Sequence, residues 1–156
     1  MKIFFLHGLE SNHKSSKVDL MRTSGHNVHA EYMDYKNVLD LYAKTLNSII
    51  DFNPDLIVGS SMGGYFAYHL GTHYKTNLLL LNPALPKRSF DPPILPDGKE
   101  KSRIWAMVGK NDTDVPAKEN IEILKRAGAK VQIGDHAHRT PIEVFKPFFN
   151  SVLKEM

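Results

Sequence analysis

The sequence predicts an α/β protein built on a doubly wound, mostly parallel sheet of about six strands, with helices on both faces. Short apolar runs alternate with helical patterns along the chain. Most of these runs are apolar at consecutive positions, which is typical of strands buried on both faces of a parallel sheet. The predicted strands are Lys2–Leu6, Val28–Ala30, Leu56–Val58, Leu78–Leu81, Ile104–Val108 and Val131–Ile133.

The segments between these strands carry helix signals. A short helix contains Val18 and Met21 and is expected to end before Gly25, since glycine readily adopts the left-handed conformation that terminates helices. A clear apolar stripe at helical spacing spans residues 38–50, and Asn53 followed by proline closes it. A third helix follows residues 59–64, as argued below.

Proline marks the remaining helices and one irregular segment. Residues 116–128 open with proline and end with glycine, which predicts a helix. The last helix is expected to begin with the Thr140–Glu143 capping-box pattern and to kink or restart at Pro147. Residues 83–98 hold five of the nine prolines and show no apolar periodicity, so we expect an irregular surface segment there.

Composition limits the classes of protein that need to be considered. A chain of 156 residues with 42% apolar and 24% charged residues fits one ordinary globular domain, residues 1–156. The absence of cysteine excludes disulfides and thiolate metal sites. The net charge of +3 comes from scattered basic residues rather than a clustered basic face, so no nucleic-acid partner is expected.

The first apolar run is too short for a targeting or membrane segment. It ends at His7, whereas a secretory signal needs about 7–15 apolar residues and a membrane span about 20. The expectation is a cytoplasmic protein with no membrane partner.

Residues 59–63 read Gly-Ser-Ser-Met-Gly between a predicted buried strand and an apolar helical stretch. This Gly-x-Ser-x-Gly turn between a strand and a helix is the nucleophile elbow of the α/β-hydrolase fold, and it makes Ser61 the candidate nucleophile. Glycine is expected at positions 59 and 63 because the turn is too tight to hold a side chain there. A glycine-rich turn that only allows close helix packing is the structural alternative.

The loop after the first strand, His7-Gly8-Leu9, has the position of an oxyanion loop. In this fold one oxyanion donor is the backbone N–H after the nucleophile, here Met62, and the other comes from a neighbouring loop, here Leu9. His7 is expected to fix the loop or fill the core rather than to take part in catalysis.

The acid and the base should follow the nucleophile in the order Ser, Asp or Glu, His. Asp112 and Asp114 lie after one predicted strand, and His136 and His138 lie after the next. Position favours Asp112 as the acid and His136 as the base, with Asp114 and His138 as the open alternatives.

Several segments together resemble the YqiA-like small esterases. They are residues 7–11 with Ser15 and Lys17, residues 59–65, residues 82–84 and residues 134–137. The resemblance implies an α/β-hydrolase fold, esterase activity, Ser61 as nucleophile and His136 as base. A Gly-x-x-Asp-x-x-Val-Pro segment at residues 109–116 is similar to the acid loop of the wider superfamily, which favours Asp112. The chain looks shorter than these relatives between Pro83 and Ile104, where a cap domain would lie.

The sequence therefore predicts a serine esterase without a cap domain that cleaves small carboxylic esters or thioesters. The partner is a small-molecule ester, and no cofactor or metal is required. Acyl transfer to an acceptor other than water would use the same acyl-enzyme. The alternatives are a non-catalytic binding module on the same fold and a metal-dependent hydrolase that uses His136, His138 and Asp112 or Asp114.

Overall fold

The computed structural model describes all 156 residues, Met1–Met156. Its strands are β1 (Lys2–Leu6), β2 (Asn27–Ala30), β3 (Leu56–Ser60), β4 (Asn77–Leu81), β5 (Arg103–Gly109) and β6 (Lys130–Gly134). Its helices are α1 (Ser16–Thr23), α2 (Leu41–Phe52), α3 (Met62–Leu70), α4 (Ala117–Arg126) and α5 (Ile142–Glu155). None of these helices is long and apolar enough to cross a membrane.

All six strands form one parallel sheet in the order β2-β1-β3-β4-β5-β6. The direction in which strands are added reverses between β1 and β3. The chain first adds β2 on one side of β1, and then adds β3, β4, β5 and β6 on the other side. Ligands in open α/β sheets bind beyond the carboxyl ends of the strands at such a reversal. The loops that follow β1 and β3 begin at His7 and Ser61, so both predicted site segments lie at this position.

Consecutive strand residues face opposite sides of the sheet and build two hydrophobic clusters. Phe4, Ile57 and Leu80 belong to the cluster beneath α2, α3 and α4. Their chain neighbours Phe5 and Val58 belong to the cluster beneath α1 and α5. Because both faces bury apolar side chains, the strands are apolar at consecutive positions. The predicted α/β-hydrolase fold is confirmed, and every predicted strand is present.

The second helix begins later than the apolar stripe predicted. Residue 38 lies in irregular backbone between two turns, and α2 starts at Leu41. Leu39 and Ile50, which the stripe placed on the buried face, are 76% and 52% exposed. The buried face of α2 consists of Tyr42, Thr45 and Ile49.

The last helix differs from the sequence prediction at its first turn and at Pro147. The predicted alternatives at Pro147 were a kink or a restart, and the helix runs unbroken through this residue, so it does not restart there. Phe145, Phe148 and Phe149 are buried on either side of the proline, and this packing holds the helix across the missing backbone donor. The predicted capping box is also absent, because Pro141 precedes the first helical residue and no side chain caps the helix.

The proline-rich segment has no helix or strand, as predicted. Residues 83–102 run from β4 to β5 as turns and irregular backbone. The fold therefore has no cap domain above the carboxyl ends of the strands.

Candidate active site

Ser61 occupies a strained turn between β3 and α3. Its φ of 53° and ψ of −113° lie in a region that non-glycine residues rarely adopt. The turn is held by backbone hydrogen bonds, because the Ser61 N–H donates to Leu81 O at 2.9 Å and its carbonyl accepts from Ala84 N–H at 3.0 Å. Such strain is tolerated where the surrounding structure fixes the backbone, and it is frequent at functional sites.

The two glycines that flank this turn are required by space. A Cβ atom at Gly59 would overlap the carbonyl oxygen of Gly63, and one at Gly63 would overlap that of Leu6. The expectation that the turn excludes side chains at these positions is therefore confirmed.

A chain of hydrogen bonds joins Ser61, His138 and Asp112. Ser61 Oγ lies 2.8 Å from His138 Nε2, and His138 Nδ1 lies 2.8 Å from Asp112 Oδ2. The Asp112 side chain is fully buried, whereas the histidine is 21% exposed and reaches the cavity. The second Asp112 oxygen accepts the N–H groups of Asp114 and Val115, at 3.0 and 2.9 Å, which fixes the carboxylate in orientation.

His136 does not contact Ser61, so the histidine of this arrangement is corrected to His138. His136 is buried, and its Nδ1 lies 2.7 Å from Ala137 O while its Nε2 has no partner. Its ring occupies the space that Cβ atoms at Gly109 and Gly134 would need, so it packs against the ends of β5 and β6. Asp114 is exposed and makes no hydrogen bond to either histidine.

Reach explains why the later histidine is the one that meets the serine. Strand β6 lies three strand spacings from β3, a separation of roughly 14 Å. Two extended residues beyond Gly134 span at most about 7 Å, whereas four span about 14 Å. Four residues therefore cover this separation in backbone alone, whereas the His136 ring lies against Gly109 and Gly134 at the ends of β5 and β6.

Leu9 and Met62 line the same cavity as Ser61. Met62 is the first residue of α3, so its N–H has no carbonyl partner within the helix. The Gly8 carbonyl accepts from Ser11 N–H at 3.2 Å and lies 2.7 Å from His7 Nδ1. Because the peptide is planar and trans, the Leu9 N–H points the opposite way and donates to no protein group.

His7 fixes this loop, as the sequence predicted. It is buried, and its Nε2 accepts the N–H of Met33 at 2.8 Å, which places the ring proton on Nδ1, facing Gly8 O. Burial lowers the pKa of the imidazole, and the neutral ring keeps both interactions. The Tyr35 hydroxyl donates to His7 O at 2.6 Å and completes the support.

Asn82 is a site residue to which the sequence assigned no role. It is 1% exposed and follows β4 with a φ of 41°. Its side-chain amide donates to His138 O at 2.6 Å and to Thr140 Oγ1 at 3.1 Å, and its oxygen accepts from Gly109 N–H at 2.7 Å. Asn82 thereby joins the end of β5, before Asp112, to the loop that carries His138. The Thr140 hydroxyl bonds to Asn82 and does not cap α5. The available signal was a polar residue at the carboxyl end of a buried strand.

The site opens into a cavity of about 610 Å³. Its apolar side chains are few, namely Phe5, Leu9, Met62, Ala84 and Val115. Polar and charged groups from the loops after β1, β4, β5 and β6 line most of the remainder.

The predicted metal site would have only part of its expected set of ligands. Donor atoms of Asp112, Asp114 and His138 lie within 4.8 Å of one another, but His136 is not among them. Both oxygens of Asp112 and both nitrogens of His138 already have hydrogen-bond partners in the protein. The cluster is therefore explained by hydrogen bonding.

Several solved structures share this fold at low sequence identity. A protein of the α/β-hydrolase superfamily from Xanthomonas campestris pv. campestris has a TM-score of 0.75 and 18% identity, and 99% of each chain is covered. A pyrethroid hydrolase from Sphingobium faniae has a TM-score of 0.72 and 14% identity, over 99% of this chain and 96% of that one. A monoacylglycerol lipase from Paleococcus ferrophilus has a TM-score of 0.73 and 14% identity, over 98% and 92%.

Sequence comparison points to one family. No curated protein matches the sequence. The model of the uncharacterised protein family UPF0227 matches residues 2–96, which contain the serine turn and the loop after β1. Asp112 and His138 lie beyond the matched region. The match covers more than half of the chain and confirms the resemblance to YqiA-like proteins, and the protein belongs to the UPF0227 family.

Proposed function

We propose that this protein is a serine hydrolase that cleaves small carboxylic esters or thioesters through an acyl-enzyme on Ser61. The observation that carries the proposal is the pair of 2.8 Å contacts from His138 to Ser61 Oγ and to Asp112 Oδ2. Nucleophile, orienting acid and base then follow one another along the chain as Ser61, Asp112 and His138, the order that is typical of α/β-hydrolases. The named activities of the structural neighbours support the same reaction class.

In the acylation step, Ser61 Oγ attacks the ester carbonyl carbon while His138 Nε2 takes the hydroxyl proton. Asp112 accepts the hydrogen bond from Nδ1–H, which holds the imidazole in the required tautomer and stabilises the imidazolium. The negative charge that develops on the carbonyl oxygen is stabilised by the N–H groups of Leu9 and Met62, with support from the positive end of α3. Collapse of the intermediate breaks the bond to the leaving group, which receives the proton from His138.

In the deacylation step, water attacks the acyl-enzyme and His138 removes its proton. The second tetrahedral intermediate expels Ser61, which recovers its proton from His138. Another nucleophile in place of water would yield acyl transfer by the same steps. No cofactor is needed for either outcome.

Covalent labelling tests the nucleophile directly. We expect a fluorophosphonate to add one adduct to the wild-type protein and none to the Ser61→Ala variant, because only an activated serine displaces fluoride at phosphorus. Intact-mass measurement gives the stoichiometry, and peptide mapping gives the position. Incubation with a chelator before the assay is the control for the metal-dependent alternative. Loss of ester hydrolysis on chelation, without labelling of Ser61, would contradict the proposal.

The absence of a cap predicts a preference for short acyl chains. Each methylene that is buried gains about 0.8 kcal/mol, or about fourfold in kcat/KM, but only where apolar walls remove it from water. The irregular backbone of residues 83–102 and the few apolar lining residues leave long chains in solvent. We expect kcat/KM for p-nitrophenyl esters to be highest from acetyl to butyryl, with no activation at lipid interfaces. A steady rise through long-chain esters would show a deep acyl groove and contradict this prediction.

A further inference from the structure

The cavity that holds Ser61 is lined by more positive than negative side chains. Its basic residues are Lys17, Lys87, Arg88 and Arg139, and its acidic residues are Glu10 and Asp114. This excess lies at the position where a substrate would bind under the proposed function.

Two of these charged residues already have partners. Glu10 accepts from Lys36 at 3.2 Å. Arg88 donates to Asp91 at 2.6 Å and to two backbone carbonyls, and it lies 4.1 Å from the centre of the Tyr65 ring. The Arg88 charge is therefore already paired, and the Glu10 carboxylate is paired with a lysine outside the cavity lining.

Lys17 and Arg139 have no anionic partner and donate no hydrogen bond within the protein. Lys17 lies in the first turn of α1 and is half-buried. Its pKa is lowered, first by burial and then by the charge of Arg139. Arg139 is exposed at the cavity wall. A bound anion would relieve the repulsion between these two positive charges.

Both residues line the cavity that holds Ser61, and Lys17 Nζ lies 6.0 Å from the centre of the Phe145 ring. Arg139 follows His138 directly, so its backbone is fixed by the same loop. Ser15 precedes α1 and accepts the Val18 N–H at 3.4 Å, which sets the start of the helix that carries Lys17. Ser15 itself lines the cavity. Asp114, the remaining acidic residue, lies beside Asp112 and His138.

We propose that Lys17 and Arg139 form a subsite for an anionic group, carboxylate or phosphate, carried by the ester substrate. The subsite rests on the proposed hydrolase function and narrows its substrate class to negatively charged esters. A charge-assisted hydrogen bond from each residue would orient the substrate with its carbonyl at Ser61. Lys87, which is exposed at the cavity wall, adds to the positive field that attracts such a substrate.

Matched esters test this subsite. The neutral reference is para-(methoxycarbonyl)phenyl acetate, and the anionic substrates are para-carboxyphenyl acetate and para-phosphonooxyphenyl acetate. We expect the wild-type protein to prefer an anionic ester in kcat/KM, and we expect added salt to reduce that preference. Comparison of the carboxylate and phosphate esters identifies which anion the subsite binds.

Substitution separates the subsite from the reaction centre. Lys17→Met and Arg139→Gln should each lower the ratio of anionic to neutral kcat/KM by about tenfold. Lys14→Met removes an exposed charge from the loop just before α1, outside the cavity, and should leave the ratio unchanged. Inhibition of neutral-ester hydrolysis by inorganic phosphate should weaken in the Lys17 and Arg139 variants.

The two proposals fail in different ways. If the wild-type protein hydrolyses all three esters without preference, or if Lys17→Met and Lys14→Met give the same ratio, the subsite is overturned while Ser61 remains the nucleophile. If no ester is cleaved and fluorophosphonate does not label Ser61, the hydrolase function itself is overturned.

Discussion

The Ser61→Ala variant is expected to lose about 10⁶-fold in kcat, which is the scale measured when a serine hydrolase loses its nucleophile. A residual rate of about 10³–10⁴ over water can remain, because the N–H groups of Leu9 and Met62 would still stabilise the oxyanion. The fold should be retained, since the hydroxyl contacts only His138 and alanine meets the same backbone strain as serine. Hydrolysis of p-nitrophenyl acetate gives the rate, and thermal melting checks the fold.

The matched control for this variant is Ser24→Ala, which removes a hydroxyl from an exposed residue at the end of α1. It should hydrolyse p-nitrophenyl acetate at the wild-type rate. Near-normal turnover in Ser61→Ala would remove Ser61 from the mechanism.

The paired variants His138→Ala and His136→Ala should differ by several orders of magnitude in kcat. Loss of the base costs about as much as loss of the serine, so His138→Ala is expected to fall by about 10⁶-fold. His136→Ala should fall by about tenfold or less, because it removes packing beneath the loop rather than the proton acceptor. Steady-state kinetics of both variants on one ester measure the difference.

Thermal stability should rank the same two variants in the opposite order. His136 is buried and fills space beside Gly109 and Gly134, so its truncation should lower Tm more than truncation of the partly exposed His138. A larger loss of kcat in His136→Ala than in His138→Ala would restore His136 as the base.

The fold was predictable because local patterns determine it. Consecutive apolar residues indicated buried parallel strands, and the glycine spacing around Ser61 indicated the turn between β3 and α3. The structure uses each of these features as the sequence predicts. Local pattern sufficed because burial on both faces and exclusion of a Cβ atom each act over a few residues.

The partner of Ser61 was not predictable in the same way. The choice between His136 and His138 depends on how many strands separate β6 from β3, and strand order is a property of the whole sheet. Asn82 presents the same difficulty, since its three contacts lie 27, 56 and 58 residues away in the chain. Long-range geometry of this kind leaves no periodic signal.

Local rules also failed where tertiary contacts outweighed them. Thr140 begins a good capping-box pattern, but its hydroxyl bonds to Asn82 instead of to the helix. Pro147 should interrupt a helix, but three buried phenylalanines hold the helix together. Thr140 contacts a residue 58 positions away in the chain, and the phenylalanines pack into the hydrophobic cluster that the sheet also builds.

The all-parallel sheet also determines how the site comes into existence when the chain folds. Parallel neighbours cannot be joined by a hairpin, so each strand pair requires closure of a long crossover segment. Topologies with such distant pairings fold slowly, because the loop-closure entropy is lost before the contacts are gained. Ser61, Asp112 and His138 follow β3, β5 and β6, and β6 is an edge strand. A chain whose last strand has not yet docked therefore holds the serine turn without His138, so the proposed chemistry requires the complete sheet.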